Sequence, residues 1–170
     1  LMELKLEDCS INVEGAAAIF QALGYNITLK KLKLSENQYI ASTGWAACFH
    51  LFINSQSALE EMIFSYNNNI DDEGADILVN VVARHMSTVQ ILDVQSNPSV
   101  ANNGWSSFAD TLLPNSTSKL KKLRIGNYLP VQGIETLINN DVMMDFVAAL
   151  AGNSNSIISP SSQHALVDVL

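Results

Sequence analysis

Short alternations of apolar and polar residues recur along the chain, each followed by a longer apolar stretch at helical spacing. Leu4-Lys5-Leu6 is the plainest alternation and predicts a strand with one buried face. Leu1, Leu29, Leu59, Val89 and Leu120 stand as anchors at spacings of 28, 30, 30 and 31. Three residues after each anchor come Leu4, Leu32, Met62, Leu92 and Leu123, and five after come Leu6, Leu34, Phe64, Val94 and Ile125. A second apolar set follows (Ile11, Ile40, Ile70, Val100, Val131), then a glycine in every unit: Gly15, Gly44, Gly74, Gly104 and Gly133. Behind the glycines, Gly15 to Leu23, Trp45 to Phe52, Ala75 to Val82 and Trp105 to Leu113 carry apolar residues at helical spacing. Each unit therefore reads as strand, loop, helix, loop. A single unit has too little neighbouring surface to bury its apolar face, so the units must stack.

Eight residues after each anchor stand Cys9, Asn37, Asn67, Asn97 and Tyr128. Where the chain turns after a strand, inward-facing peptide groups need hydrogen-bond partners, and an asparagine amide offers both donors and acceptors. Cys9 is a weaker substitute there. Tyr128 is a departure, with Asn127 one residue early, and predicts a local irregularity in the fifth unit.

This layout resembles the leucine-rich repeat, LxxLxLxx(N/C)xL, and its period and helix-opening glycine resemble the ribonuclease-inhibitor-like subclass. The resemblance implies an α/β solenoid, or horseshoe arc, with parallel strands on the concave face and helices on the convex face. The expected units are 1–28, 29–58, 59–88, 89–119 and an irregular 120–156. Residues 157–170 are expected to be a partial further unit, helical and capped by Ser159 or Ser162. The chain opens inside the pattern, which reads as an excerpt of a longer array whose adjoining repeats or domains are further partners.

Charge refines the picture. Of nine basic residues, eight lie in or beside the strands, whereas ten of the seventeen acidic residues lie outside them. Positions two and four after each anchor, with the residues just beyond, are expected on the concave face. There Lys5, Glu7, Lys31, Lys33, Glu61, Asp93, Lys122 and Arg124 surround Ile63, Tyr66 and Ile91. An apolar centre inside a charged rim suits a protein contact. The competing reading is a solvated face of cross-strand pairs.

The net charge of −8 and the lack of a basic tail argue against nucleic acid. No apolar run approaches the roughly 20 residues of a bilayer span. Two cysteines, Cys9 and Cys48, make no disulfide framework and fit an intracellular, cytoplasmic setting. His50, His85 and His164 have no metal-ligand spacing, and no nucleophile elbow or phosphate-binding glycine loop occurs. Neither an enzyme nor a cofactor is expected. Asp71-Asp72-Glu73 suits a helix N-terminus better than a cation site. Trp45 and Trp105 read as packing between helices. The sequons at Asn26 and Asn115 fall in loops before strands, where they are weak signals of glycosylation. The function expected is non-catalytic protein recognition (scaffold, sensor or recognition array). The alternatives are a GTPase-activating array similar to Ran regulators, and a structural spacer.

Overall fold

The computed structural model describes residues 1–53, 56–112, 119–126, 156–159 and 166–169. Strands and helices alternate: β1 (Glu3–Lys5), α1 (Val13–Gly24), β2 (Lys31–Lys33), α2 (Ser42–His50), β3 (Glu61–Ile63), α3 (Asp72–His85), β4 (Ile91–Asp93), α4 (Asn102–Leu112) and β5 (Lys122–Arg124). β1 to β5 pair in parallel and in sequence order. Leu4, Leu32, Met62, Leu92 and Leu123 stand side by side in one row. Each helix packs on the next, α1 to α4, behind the sheet. The architecture is thus the expected α/β solenoid of parallel strands and flanking helices.

Position in the repeat decides burial. Leu32, Leu34, Met62, Phe64, Leu92, Val94, Leu123 and Ile125 point from the strands into the core and are buried, as are Ile40, Ile70 and Val100 from the loops. The helices add Phe20, Phe49, Leu78, Val79, Val82 and Phe108. Trp45 and Trp105 are also buried, as expected for packing residues. Phe20 lies edge-on to Trp45 at 6.3 Å between ring centroids and contacts Phe49, Phe52 and Phe64 at 5.0–6.2 Å. This aromatic cluster ties α1, α2 and β3 together, and such pairs add about 0.5–1.5 kcal/mol beyond area burial. In β1 the equivalent Leu4 and Leu6 are only half-buried, because no described element lies on their outer side.

The asparagine row satisfies the backbone between units. Asn67 Nδ2 donates to the carbonyls of Leu34 (3.0 Å) and Phe64 (2.9 Å), and its Oδ1 accepts the Asn37 N–H at 2.8 Å. Asn97 repeats this one unit on, donating to Phe64 and Val94 and accepting from the Asn67 N–H at 2.7 Å. Asn37 reaches back to the Leu6 carbonyl and accepts from the N–H groups of Cys9 and Ile11. The three amides are fully buried. Just before Cys9 and these three asparagines, Asp8, Glu36, Tyr66 and Ser96 adopt left-handed backbone (φ 50°, 62°, 60° and 56°), which turns the chain inward. In the fifth unit the left-handed residue is Gly126 (φ 96°), one position earlier in register. That shift matches the displaced Asn127; Asn127, Tyr128 and the helix-like stretch 141–150 lie outside the described residues.

Capping also crosses unit boundaries. Asn12 and Asp71 cap their own helices by accepting from the N–H groups of Gly15 and Gly74. Asp72 instead caps the next helix, accepting from Ala101 (2.7 Å) and Gly104 (3.1 Å). The acidic cluster is thus accounted for by helix N-termini. The helix-opening glycines are kept by close approach. A Cβ on Gly104 would lie 2.6 Å from both Asp72 Oδ1 and Val100 Cγ1, and one on Gly44 would lie 2.9 Å from Val13. Gly74 is roomier, with nothing nearer than 3.5 Å.

The chain's last described segments correct one expectation. Residues 157–170 were expected to be helical, but β6 (Ser156–Ser159) and β7 (Leu166–Val169) are strands. The sheet order is β1-β2-β3-β4-β5-β7-β6, with β7 antiparallel to β5. Ile157-Ile158 and the valines of β7 favour extended backbone, and β5 gains a partner for its free edge. Asp168 therefore sits in the sheet in register with Lys122.

Two stability predictions follow from this packing. Asn67→Ala leaves one buried N–H and two carbonyls without their amide partner and should cost about 3 kcal/mol or more. Urea unfolding would measure the loss; a change below about 1 kcal/mol would refute the ladder's weight. Gly104→Ala should destabilise by about 1–3 kcal/mol through overpacking. Gly74→Ala should be neutral or stabilise by up to about 1 kcal/mol through helix propensity. Melting curves of the two variants should move in opposite directions or differ clearly in size.

Candidate protein-binding surface

The open face of the sheet, opposite the helices, is built from side chains at positions two and four of each unit. Register sets Glu3, Lys31, Glu61, Ile91 and Lys122 in one row, and Lys5, Lys33, Ile63, Asp93 and Arg124 in the next. All the expected contact residues except Glu7 and Tyr66 fall in these two rows. Glu7 and Tyr66 lie in the turns just beyond and are exposed.

Many of the charges engage one another. Lys31 Nζ lies 3.0 Å from Glu61 Oε2, and Lys33 reaches Glu3 at 3.3 Å and Glu61 at 3.9 Å. Lys5 approaches Glu3 at 3.6 Å. Burial acts to raise the Glu3 carboxyl, but the Lys33 hydrogen bond and the charges of Lys5, Lys33 and Lys31 outweigh it and hold its pKa below the ordinary value. Lys31 is shifted upward, chiefly by its hydrogen bond to Glu61. Such partly exposed pairs are screened by solvent, so they set orientation more than stability.

Asp93 is different, for it is buried rather than presented, with 2% of its surface exposed. Arg124 Nη1 lies 3.0 Å from its Oδ2, and the Gln95 N–H donates to Oδ1 at 3.2 Å. Burial pushes the carboxyl above its ordinary value, while Arg124, Gln95 and Lys122 offset part of that shift. Asp93 therefore acts as a support for Arg124. Ser35 and Ser65, further along the face, are also buried and share a 3.0 Å hydroxyl contact.

Ile63 and Ile91 are half-buried, but register sets Ile63 beside Asp93 and Ile91 beside Glu61, so the two are diagonal rather than lateral neighbours. Tyr66 is an aromatic side chain in the left-handed turn position, 39% exposed, with its carbonyl held by Gln38 Nε2. The periodic reading understated Tyr39, which is 68% exposed in the loop after β2. Its signal was an aromatic residue between polar loop residues, Gln38-Tyr39, next to the asparagine position. Tyr25 and Ile27, away from this face, are exposed in the loop between α1 and β2. Asn26 between them accepts from the N–H groups of Thr28 and Leu29, a structural use for the sequon asparagine. Asn115 lies outside the described residues.

The other chemistry stays inert or dispersed. Cys48 is buried, which pushes its thiol up to about 11, and Cys9 is exposed at the edge of the array. His50 and His85 are exposed near the ends of α2 and α3; His164 lies outside the described residues. No group of His, Cys, Asp and Glu among the described residues is arranged to hold a metal ion. No described helix is long and apolar enough to cross a membrane.

Comparison with known proteins agrees with this geometry. A family model described as "Leucine Rich repeat" matches residues 25–47, from the end of the first unit through β2 into α2. The fold is a leucine-rich-repeat solenoid. A solved structure described as the tropomodulin C-terminal domain, from Caenorhabditis elegans, is similar to it with a TM-score of 0.64. That likeness covers 84% of this chain and 78% of the other at 17% identity, so it speaks for the fold alone. No curated protein matches the sequence. Leucine-rich-repeat domains generally mediate protein–protein interaction, and the open sheet face of this one has the mixed apolar and charged character such contacts use.

The Asp93–Arg124 pair yields a pH-dependent prediction. Because the folded pKa of Asp93 is raised, the native state holds that proton more tightly than the unfolded chain, and ionisation of Asp93 destabilises the fold as pH rises through that value. Arg124 offsets this. Arg124→Gln should therefore cost about 2 kcal/mol at neutral pH and progressively less as pH falls through the raised value. Urea unfolding at neutral and acidic pH would measure it; an equal loss at both would contradict the assignment.

Proposed function

We propose that this array is a non-catalytic recognition module that binds another protein through the open sheet face, with Tyr66 as an anchor. One observation carries the reading. The left-handed position before Cys9 and before each of the three buried asparagines is filled by Asp8, Glu36, Tyr66 and Ser96, so a bulky aromatic occurs there once among the described units. A non-glycine residue in that conformation costs about 1–2 kcal/mol, and a large side chain brings no relief by local hydrogen bonding. Tyr66 is 39% exposed in the turn that follows β3, with exposed Glu36 at the equivalent position of the preceding unit. An aromatic with an apolar body and a hydroxyl at its tip is the side chain that most often dominates protein contacts.

The charged rows support this role by orientation. Lys5, Glu7, Lys31, Lys33, Glu61, Lys122 and Arg124 give the face both signs, which suits steering of a partner carrying the complementary arrangement. Asp93 contributes by holding Arg124 rather than by touching the partner.

The test uses two variants with unchanged charge. Ile63→Thr with Tyr66→Ala alters the sheet face, and Tyr25→Ala with Ile27→Ser alters an exposed apolar pair elsewhere. Both must match the wild type by circular dichroism. Against a partner captured by the wild type, the first variant should bind at least about tenfold more weakly and the second should bind equally. The reverse order of effects would move the binding site away from the sheet.

A further inference from the structure

Charge on the sheet face is neutralised unevenly. Lys31 is held by Glu61, Lys33 by Glu3 and Glu61, and Arg124 by Asp93. Glu36, in the turn three residues after Lys33, is exposed and makes no ion pair among the described residues. It stands inside the array, with a described unit on each side. The parallel pairing runs on through the turns. The Asp8 N–H donates to the Ser35 carbonyl (3.0 Å), the Glu36 N–H to Ser65 (3.2 Å) and the Tyr66 N–H to Gln95 (3.1 Å). Asp8, Glu36 and Tyr66 therefore form a row at the spacing of neighbouring strands, about 4.8 Å. Glu36 has a second acidic residue on one side and an aromatic on the other. Like charges in neighbouring positions repel, and neither neighbour relieves that.

A cation is the group that completes this row. A charged nitrogen within about 6 Å of an aromatic ring centre is attracted by the ring face, and a carboxylate one strand away lies within reach of the same group. A guanidinium fits better than an ammonium. It is planar, so it stacks on the ring, and its five N–H donors form a fork that engages a carboxylate while it is stacked. The turn is fixed beforehand: the Gln38 side chain donates to the Tyr66 carbonyl (2.6 Å) and accepts from the Asn68 N–H (3.0 Å). The net charge of −8 adds a long-range pull in the same sense.

We propose that the partner segment seated on Tyr66 presents an arginine, whose guanidinium stacks on the Tyr66 ring and forks to the Glu36 carboxylate. This assignment rests on the binding role proposed above and names what the anchor meets. It sets the site apart from a solvated carboxylate beside an unrelated tyrosine, which has no preference between arginine and an uncharged group of the same shape.

Acetylated and amidated pentapeptides, alanine except for the central residue, test this by NMR on the wild-type chain. With arginine at the centre, the ring signals of Tyr66 should move saturably at millimolar concentration, while those of Tyr25 stay still. With citrulline, the uncharged isostere, binding should fall about tenfold or more. With lysine it should fall about threefold or more. No saturable shift with the arginine peptide overturns the proposal, and so does equal binding of the citrulline or the lysine peptide. Glu36→Gln and Tyr66→Leu, each matched to the wild type by circular dichroism, should weaken the arginine peptide about threefold or more, and Tyr66→Phe should not. Loss of fold in a variant leaves the comparison of arginine with citrulline on the wild type to decide. Against a partner captured by the wild type, Glu36→Gln should weaken binding as well. Capture that depends on Tyr66 but not on Glu36 rejects the arginine and leaves the recognition role standing. Arginine-selective peptide binding with capture indifferent to Tyr66 supports the site and counts against the recognition role.

Discussion

After every strand the chain turns inward, and the peptide groups it carries there leave water. They must be bonded, because a buried unpaired group costs about as much as a whole hydrogen bond is worth. Asn37, Asn67 and Asn97 meet this need, and none does so within its own unit alone. Each amide joins the carbonyl ends of two strands and accepts from the backbone of the preceding turn. Stability is therefore shared between neighbours from the first hydrogen bond onward. Asp72 extends the same dependence to the helix side, where it caps a helix of the following unit.

A fold assembled in this way is regular wherever a unit has a neighbour on both sides. In the middle, the anchors and the core-facing residues that follow them are buried, from Leu29, Leu32 and Leu34 to Val89, Leu92 and Val94. At β5 the chain turns back and lays β7 along the free edge. At β1 nothing described does so, and the residues equivalent to buried Leu32 and Leu34 stay half-covered as Leu4 and Leu6. The same sequence position thus has two fates. The difference lies in what stands beside it among the described residues.

How much of this can be read without coordinates depends on the range of the interaction. Repeat phase, the strand and helix order, the asparagine role and the burial of Trp45 and Trp105 were legible because each follows from residue type and spacing. The glycines were legible as positions but not as reasons. The spacing marks them as helix-opening, whereas the close approach of Asp72 to Gly104 requires two helices to be laid side by side. Burial of Asp93 was hidden for a similar cause. Its position predicts an open face, and the Arg124 guanidinium from the next strand, with the Gln95 N–H, makes a buried carboxylate there tolerable. The terminal segment was misread as helix because Ser-Pro and Ser-Ser suggest a cap, while the edge of β5 that recruits the valines is invisible in the local sequence.

The open face shows why charge alone is a poor guide to a binding site. Once register sets Lys31 beside Glu61 and Lys33 between two glutamates, those charges have neighbours of their own, and a partner would have to compete with them. Residues without such internal work carry more information. Tyr66 adds little to the core, and its backbone conformation favours glycine or asparagine. Selection for stability would have filled that turn with a small polar residue, as at Ser96, or an acidic one, as at Asp8 and Glu36. The Gln38 amide holds the Tyr66 backbone carbonyl, so the turn is fixed while the side chain stays 39% exposed, which supports the anchor role proposed above.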